Sequence, residues 1–272
     1  MIGILSDIHG NLHALEAVLA DMPKVSEIWV LGDMIGGLAF PCEVMDRLLG
    51  LPVPISAVLG NWEERMLKAR SGLHPEHYES TQFGSSCWTM EQLKPHHWSY
   101  LEGLESTLTV KINTGNALLY HGRPDDAFTG IYTQEEAKSA ALGRNEQLLV
   151  GGHTHKCRLF RLGRQIVVGV GSIGFSFDGV GGVACYALLD KDNCSDICEI
   201  SKNIVFRHVA YDVEGAVAAI KSSGLYERAP GFSRAISLSA DTGNNYVMPL
   251  LQFCEKYNGP FEEAELVWDG SE

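Results

Sequence analysis

The sequence has no run of three basic residues, and no stretch approaches the roughly 18 consecutive apolar residues that a transmembrane helix needs. Lys and Arg number 21 against 34 Asp and Glu, a formal net charge of −13. A surface so poor in positive charge repels nucleic acid and anionic membrane, so neither is an expected partner. Met1 to Leu5 is apolar, but Ser6-Asp7 ends it far short of a signal-peptide core. Paired cysteine motifs are missing: Cys42, Cys87, Cys157, Cys185, Cys194, Cys198 and Cys254 make an odd, scattered set without a CxxC pair. In a chain of 272 residues this reads as reduced thiols in a cytoplasmic protein, not as a disulfide framework or a zinc knuckle. Repeats and low-complexity linkers are also missing. The expectation is one domain over 1–272, with a less defined C-terminal extension from about residue 223.

What is present is alternation. Short apolar runs at Ile2–Leu5, Glu27–Leu31 and Ile55–Leu59 read as strands, with helical spacing after each: Leu12 to Leu19, a helix opening at Pro41, and Trp62 to Ala69. That order predicts βαβ units with parallel pairing. Ser71 to Glu105 is rich in His, Trp and Ser and predicts only short helices, around Cys87–Leu93 and Trp98–Leu101. Strands are expected again at 108–112, 117–120, 148–150, 158–162, 166–170, 183–189 and 204–210. Their short Gly- or Asp-containing turns predict an antiparallel sheet for this half. Thr133 and Asp212 are placed to cap helices over 133–142 and 212–222. The last 50 or so residues read as mixed, with a loop at 241–245.

Five strands end the same way, in small residues followed by a metal-competent side chain. Ile2–Ser6 leads to Asp7 and His9, Ile28–Gly32 to Asp33, Ala57–Gly60 to Asn61, Ala117–Tyr120 to His121, and Leu148–Gly152 to His153 and His155. Ligands of α/β sheets gather beyond the carboxyl ends of strands. Residues two apart in extended chain face one way, so Asp7 can share a site with His9, and His153 with His155. Mixed imidazole and carboxylate donors suit Mn, Fe, Zn, Ni or Co better than Ca or Mg. Seven are too many for one tetrahedral ion but fit two ions about 3.5–4 Å apart with a carboxylate between them.

At Asp7-Ile-His9, Gly32-Asp33, Gly60-Asn61, His121-Gly122 and Gly152-His-Thr-His155 the sequence resembles the calcineurin-like metallophosphoesterase superfamily. It is most similar to the branch of small bacterial and archaeal predicted phosphodiesterases, through Ser6–Asn11, Gly171-Ser-Ile-Gly174 and Tyr186–Asp190. The resemblance extends from Met1 to about Ile220. It implies an α/β fold, a four-layer αββα sandwich of two mixed sheets flanked by helices. It further implies two divalent transition metals, manganese first, with Fe, Zn, Ni or Co as alternatives. Asp7, His9, Asp33 and His155 would hold the first ion. Asp33 would bridge, and Asn61, His121 and His153 would complete the second. Asp33, Asn61 and His121 would carry catalysis, with a metal-bridging hydroxide attacking phosphorus in line. The implied function is phosphodiester hydrolysis of a small phosphate ester, with a phosphomonoesterase or dinucleoside-polyphosphate hydrolase as the alternative. A non-catalytic scaffold on the same fold is the alternative of another class, and the intact ligand set argues against it.

One position departs from the pattern. Many members carry a His after the motif Asn, thought to assist the leaving group, and Trp62 stands there. Further candidates keep two readings each: Asn11 as a helix cap or a substrate contact, Trp62 as a packed aromatic or a substrate wall, and Arg123 as a loop ion pair or a phosphate clamp. His13 reads as a surface helix residue. His74, His77, His96 and His97 read as a solvated group without a metal, and Cys194 and Cys198 as ordinary thiols.

Overall fold

The fold is known from a computed structural model that describes residues 1–73, 80–113, 115–191 and 197–270. The chain runs β1 (Ile2–Leu5), α1 (Leu12–Asp21), β2 (Glu27–Val30), α2 (Pro41–Leu49), β3 (Ile55–Ala57) and α3 (Asn61–Arg70). A 3-10 turn at Thr81–Phe83 precedes α4 (Gly84–Gln92) and α5 (Pro95–Glu102), then β4 (Thr107–Ile112), β5 (Gly115–Tyr120) and α6 (Gln134–Ala141). Next come β6 (Leu148–Gly151), β7 (Cys157–Leu162), β8 (Gln165–Val170), β9 (Val183–Leu189), α7 (Ile197–Lys202) and β10 (Ile204–Ala210). The rest is helical: α8 (Val213–Ser222), α9 (Leu225–Arg228), α10 (Pro230–Thr242), α11 (Val247–Lys256) and α12 (Phe261–Val267).

Two mixed five-stranded sheets result, ordered β10-β9-β1-β2-β3 and β4-β5-β6-β8-β7. In the first, β1, β2 and β3 are parallel, as βαβ connections require, and β9 and β10 return antiparallel. The second sheet corrects the antiparallel expectation. β5, β6 and β8 are parallel, and only the outer strands β4 and β7 run the other way. The short turn between β7 and β8 does make a hairpin, but β8 inserts between β6 and β7. Local turn length does not report that insertion.

Period-two alternation distributes the side chains. Ile2, Ile4, Trp29 and Leu31 meet Leu119, Val150, Val168 and Ala187 between the sheets. Leu5 and Val30 face outward onto Leu15 and Val18 of α1 and Val44 and Leu48 of α2. On the far side, Leu118, Tyr120 and Leu149 pack on Ala137 and Ala141 of α6, giving helix, sheet, sheet and helix in four layers. The Thr133 and Asp212 caps form as expected.

The last 50 residues are helices, not mixed structure. Ala229, Phe232, Leu250, Cys254 and Trp268 make a core of their own, while Ile236 and Ala240 dock on Leu38, Trp88 and Phe175. The expected loop at 241–245 starts later, because α10 runs through Thr242 and ends at Gly243, whose φ of 75° terminates it. Among the described residues, no helix is long and apolar enough to cross a membrane.

Candidate metal centre

Asp7 and His9 follow β1, Asp33 follows β2, and Asn61 opens α3 just beyond β3. His121 follows β5, while His153 and His155 follow β6. Both sheets therefore aim strand ends at one point, and all seven residues meet there. His9 Nε2 lies 3.2 Å from His155 Nε2, and His155 Nε2 lies 3.3 Å from Asp7 Oδ1. Asp33 Oδ2 sits between the two groups of donors, 3.7 Å from His9 Nε2 and 3.3 Å from His121 Nε2. Asn61 Oδ1 is 3.0 Å from both His121 Nε2 and His153 Nδ1. Asp7 Oδ1 also approaches His121 Nε2, at 3.8 Å, so both carboxylates face donors on each side.

The imidazoles are aimed by the backbone. Nδ1 of His9, His121 and His155 lies 2.9, 2.7 and 2.7 Å from the carbonyls of Gly36, Leu31 and Phe175. A carbonyl only accepts, so each Nδ1 carries hydrogen and donates, and each Nε2 is turned toward the centre. This is the arrangement that metal-ligating histidines adopt.

Asp7, His9, Asp33, His153 and His155 have φ between 50° and 65°, and no other described non-glycine residue has positive φ. The left-handed region costs on the order of 1–2 kcal/mol per such residue. Neighbouring backbone holds them in place. Asp7 and His9 N–H donate to Gly32 and Asp33 carbonyls at 3.1 and 2.9 Å, and Gly174 N–H and Ser172 Oγ–H donate to the Asp7 carbonyl at 2.8 and 2.9 Å. Gly152 must be glycine, since a Cβ there would stand 2.5 Å from Asp7 Oδ2.

Burial and crowding divide the charges. Burial opposes ionisation of Asp7 and Asp33, but the adjacent histidines hold both carboxyls below the usual range. Burial lowers His9 to about 4 against the pull of Asp33, and lowers His153 to about 4 with help from the charge on His121. His121 goes the other way: burial would lower it, but Asp33 and Asp7 beside it raise it to about 10. Two buried carboxylates thus draw positive charge to their midst. The oxygen and imidazole donors fit divalent transition metals in chemistry and in orientation.

A model of the calcineurin-like phosphoesterase superfamily domain matches residues 1–193. The chain belongs to the calcineurin-like phosphoesterase superfamily. An uncharacterized protein of Methanocaldococcus jannaschii is 25% identical over 244 residues, covering 84% of this chain and 94% of that protein. The crystal structure of a metallophosphoesterase from Sphaerobacter thermophilus is 25% identical, with a TM-score of 0.71 over 89% of this chain and 98% of that one. A hypothetical protein of Pyrococcus horikoshii shares the fold at a TM-score of 0.73 and 19% identity, over 90% and 100% of the two chains. As a member of this superfamily the protein is a phosphoesterase of a metal-dependent family.

The centre forms the floor of a cleft of about 480 Å³ that sequence reasoning described only in part. Trp62 lines it beside His9, with ring centroids 5.8 Å apart. Asn11 and Arg123 are not among its lining residues. Asn11 is buried, accepts from Ala14 N–H as the cap of α1 and donates to the Gly174 carbonyl, so its substrate role is withdrawn. Arg123 turns to Ser139 Oγ at 3.1 Å and Asp125 at 4.0 Å, so the phosphate clamp is withdrawn too. The basic side chains in the cleft are Arg65, Lys156 and Arg158. Arg65 was detectable, since it follows Asn61 and Trp62 by one helical turn on α3. Phe175 and Phe177, which stack on His9 and His155 at centroid distances of 4.7 and 4.6 Å, carried no sequence signal beyond nearness to the Gly171–Gly174 turn. Phe232, Met248 and Leu251 from the C-terminal helices complete the wall.

Glu63 is the other residue that sequence reasoning passed over. Fully buried, it accepts from Asp33 N–H at 2.8 Å, Gly60 N–H at 2.9 Å and Ile35 N–H at 3.2 Å. Burial, with Asp33 nearby, raises it to about 7. Elsewhere, His96 and His97 both contact Asp46, at 2.9 and 2.8 Å; His96 is exposed as expected, but His97 is fully buried, which corrects its solvated reading, and His13 contacts Asp212 at 3.5 Å. His74, His77 and Cys194 lie outside the described residues, as does the Cys198 side chain.

Proposed function

We propose that the protein is a metal-dependent phosphodiesterase. Asp7, His9, Asp33 and His155 would hold one divalent ion, and Asn61, His121 and His153, together with Asp33, would hold a second. Manganese is the first candidate. The carrying observation is the cleft itself, whose floor is lined by His9, Asp33, Asn61, His153 and His155, with Asp7 and His121 buried behind them, basic side chains beside them and a broad apolar wall above. When bound, the ions supply charge for the phosphoryl oxygens and lower the pKa of an attacking water. The chain does the positioning. Arg65, Lys156 and Arg158 offer positive charge to an anionic phosphate. Phe128, Phe177, Phe232 and Met248 offer area to a second organic substituent, which a diester has and a bare monoester lacks.

Trp62 gives the reading a consequence. It occupies the position where a protonating side chain would stand, so the leaving oxygen departs with little help. Loss of a general acid costs about 10²–10⁴-fold, and activated aryl esters conceal most of that cost. The test is a leaving-group series on one diester scaffold with manganese present, run on wild type and Trp62→His. A steep dependence on leaving-group pKa that flattens in Trp62→His is expected. Faster hydrolysis of alkyl monoesters than of aryl diesters would overturn the diesterase reading.

A further inference from the structure

Outside that centre, the side chains of Cys157, Asp178, Cys185 and His208 bring two sulfurs, a carboxylate oxygen and an imidazole nitrogen within 4.8 Å of one another. They come from four places. Cys157 begins β7 of the second sheet, Cys185 and His208 are direct partners on β9 and β10 of the first, and Asp178 lies in the loop between β8 and β9. Direct partners project to one face. Cys185 shares parity with Ala187 and Leu189 of the inter-sheet core, so this pair faces the other sheet, toward Cys157.

We infer that this cluster is a zinc site separate from the phosphoesterase centre. The spacing carries the inference. In a tetrahedral zinc site, bonds of about 2.3 Å to sulfur and 2.0–2.2 Å to nitrogen or oxygen leave adjacent donors roughly 3.3–3.8 Å apart. Asp178 Oδ2 lies 3.6 Å from Cys185 Sγ and 3.6 Å from His208 Nε2. The donor set, two thiolates with one imidazole and one carboxylate, is the soft and borderline mixture that favours zinc over magnesium or calcium. Asp178 is already oriented, since both carboxylate oxygens accept from Cys157 N–H, at 3.2 and 3.3 Å. Cys157 and Cys185 are free thiols, so no disulfide competes for them. His208, 43% exposed at its side chain, gives an ion a way in. An ion here would tie the two sheets together and fix the loop in which Phe177, next to Asp178, stacks on His155.

Cobalt(II) is the probe, because a thiolate ligand gives it an intense near-ultraviolet charge-transfer absorption and none of the seven donors of the other centre is a cysteine. Full-length apoprotein, freshly reduced and titrated anaerobically, should develop that absorption to an amplitude of one cobalt–thiolate site per chain, complete by three cobalt per chain because the other centre also takes cobalt, and lose it to excess zinc. Cys185→Ser should abolish it. Cys185 is buried, so the exposed His208→Ala provides the second arm. It should weaken cobalt binding at this site by at least the roughly 10–100-fold that loss of an outer partner of a ligand costs, with circular dichroism unchanged. Cobalt binding without the charge-transfer absorption overturns the inference. So does its persistence in Cys185→Ser, unchanged affinity in His208→Ala, or recovery of Cys157 and Cys185 as a disulfide from metal-treated reduced protein.

Discussion

The carboxylate of Asp33 touches more of the centre than its size suggests. One oxygen faces His9 and His121, and the other accepts from Trp62 N–H at 2.9 Å. Replacing it with Asn keeps the volume but removes a charge and, on the proposed two-ion reading, the ligand common to both ions. Asp33→Asn should lower turnover by two or more orders of magnitude and reduce bound metal toward one ion or none per chain, read by elemental analysis after desalting. Glu63 should matter differently. Glu63→Ala leaves three buried N–H groups unsatisfied, each costing about 1–3 kcal/mol. The expected result is a loss of several kcal/mol in chemical denaturation. Glu63→Gln, which can still accept on one oxygen, should fall between. The donors themselves were legible because each follows a strand and small residues. The left-handed backbone at five of them was not, since Asp and His tolerate that region without announcing it.

Helix α1 is joined to the first sheet at its last residue. Asp21 accepts from Arg207 on β10, at 2.6 and 3.1 Å, and from the Tyr186 hydroxyl on β9, at 2.8 Å. These bonds hold the Asp21 carboxyl below its ordinary value of 3.8. A carboxyl depressed in the folded state adds stability that is complete above its unfolded pKa and disappears as pH falls through the folded one. Asp21→Asn should therefore cost stability at pH 7, by about 1 kcal/mol or less for a partly exposed pair, and the difference should vanish well below pH 4. Equal destabilisation at both pH values would show that the clamp is not electrostatic. At this scale the sequence was informative about existence and poor about company. The ten strands of the described residues were all expected from the sequence, yet the parallel pairing of β6 with β8 depends on which strand inserts where. The C-terminal helices were missed because their apolar residues serve two surfaces, their own core and the cleft wall, which blurs the periodicity.

For the molecule as a whole, the strained centre and the two-sheet frame depend on each other. Ions that bind only the folded chain stabilise it by about 2.7 kcal/mol at one hundred times their dissociation constant. At about 2–4 °C per kcal/mol, manganese binding should raise the Tm by roughly 5–10 °C per bound ion, and chelation should reverse it. A Tm indifferent to both would mean that the donors hold no ion. The same dependence has a temporal side. Asp7, His9, Asp33 and Asn61 lie within the first 61 residues, but His121, His153 and His155 come from the second sheet. A chain emerging from the ribosome completes this donor set only when residue 155 is available and both sheets have paired, so metal acquisition at the proposed centre would be a late step of biogenesis, and a fragment that stops before β6 would leave the ribosome with five of the seven donors.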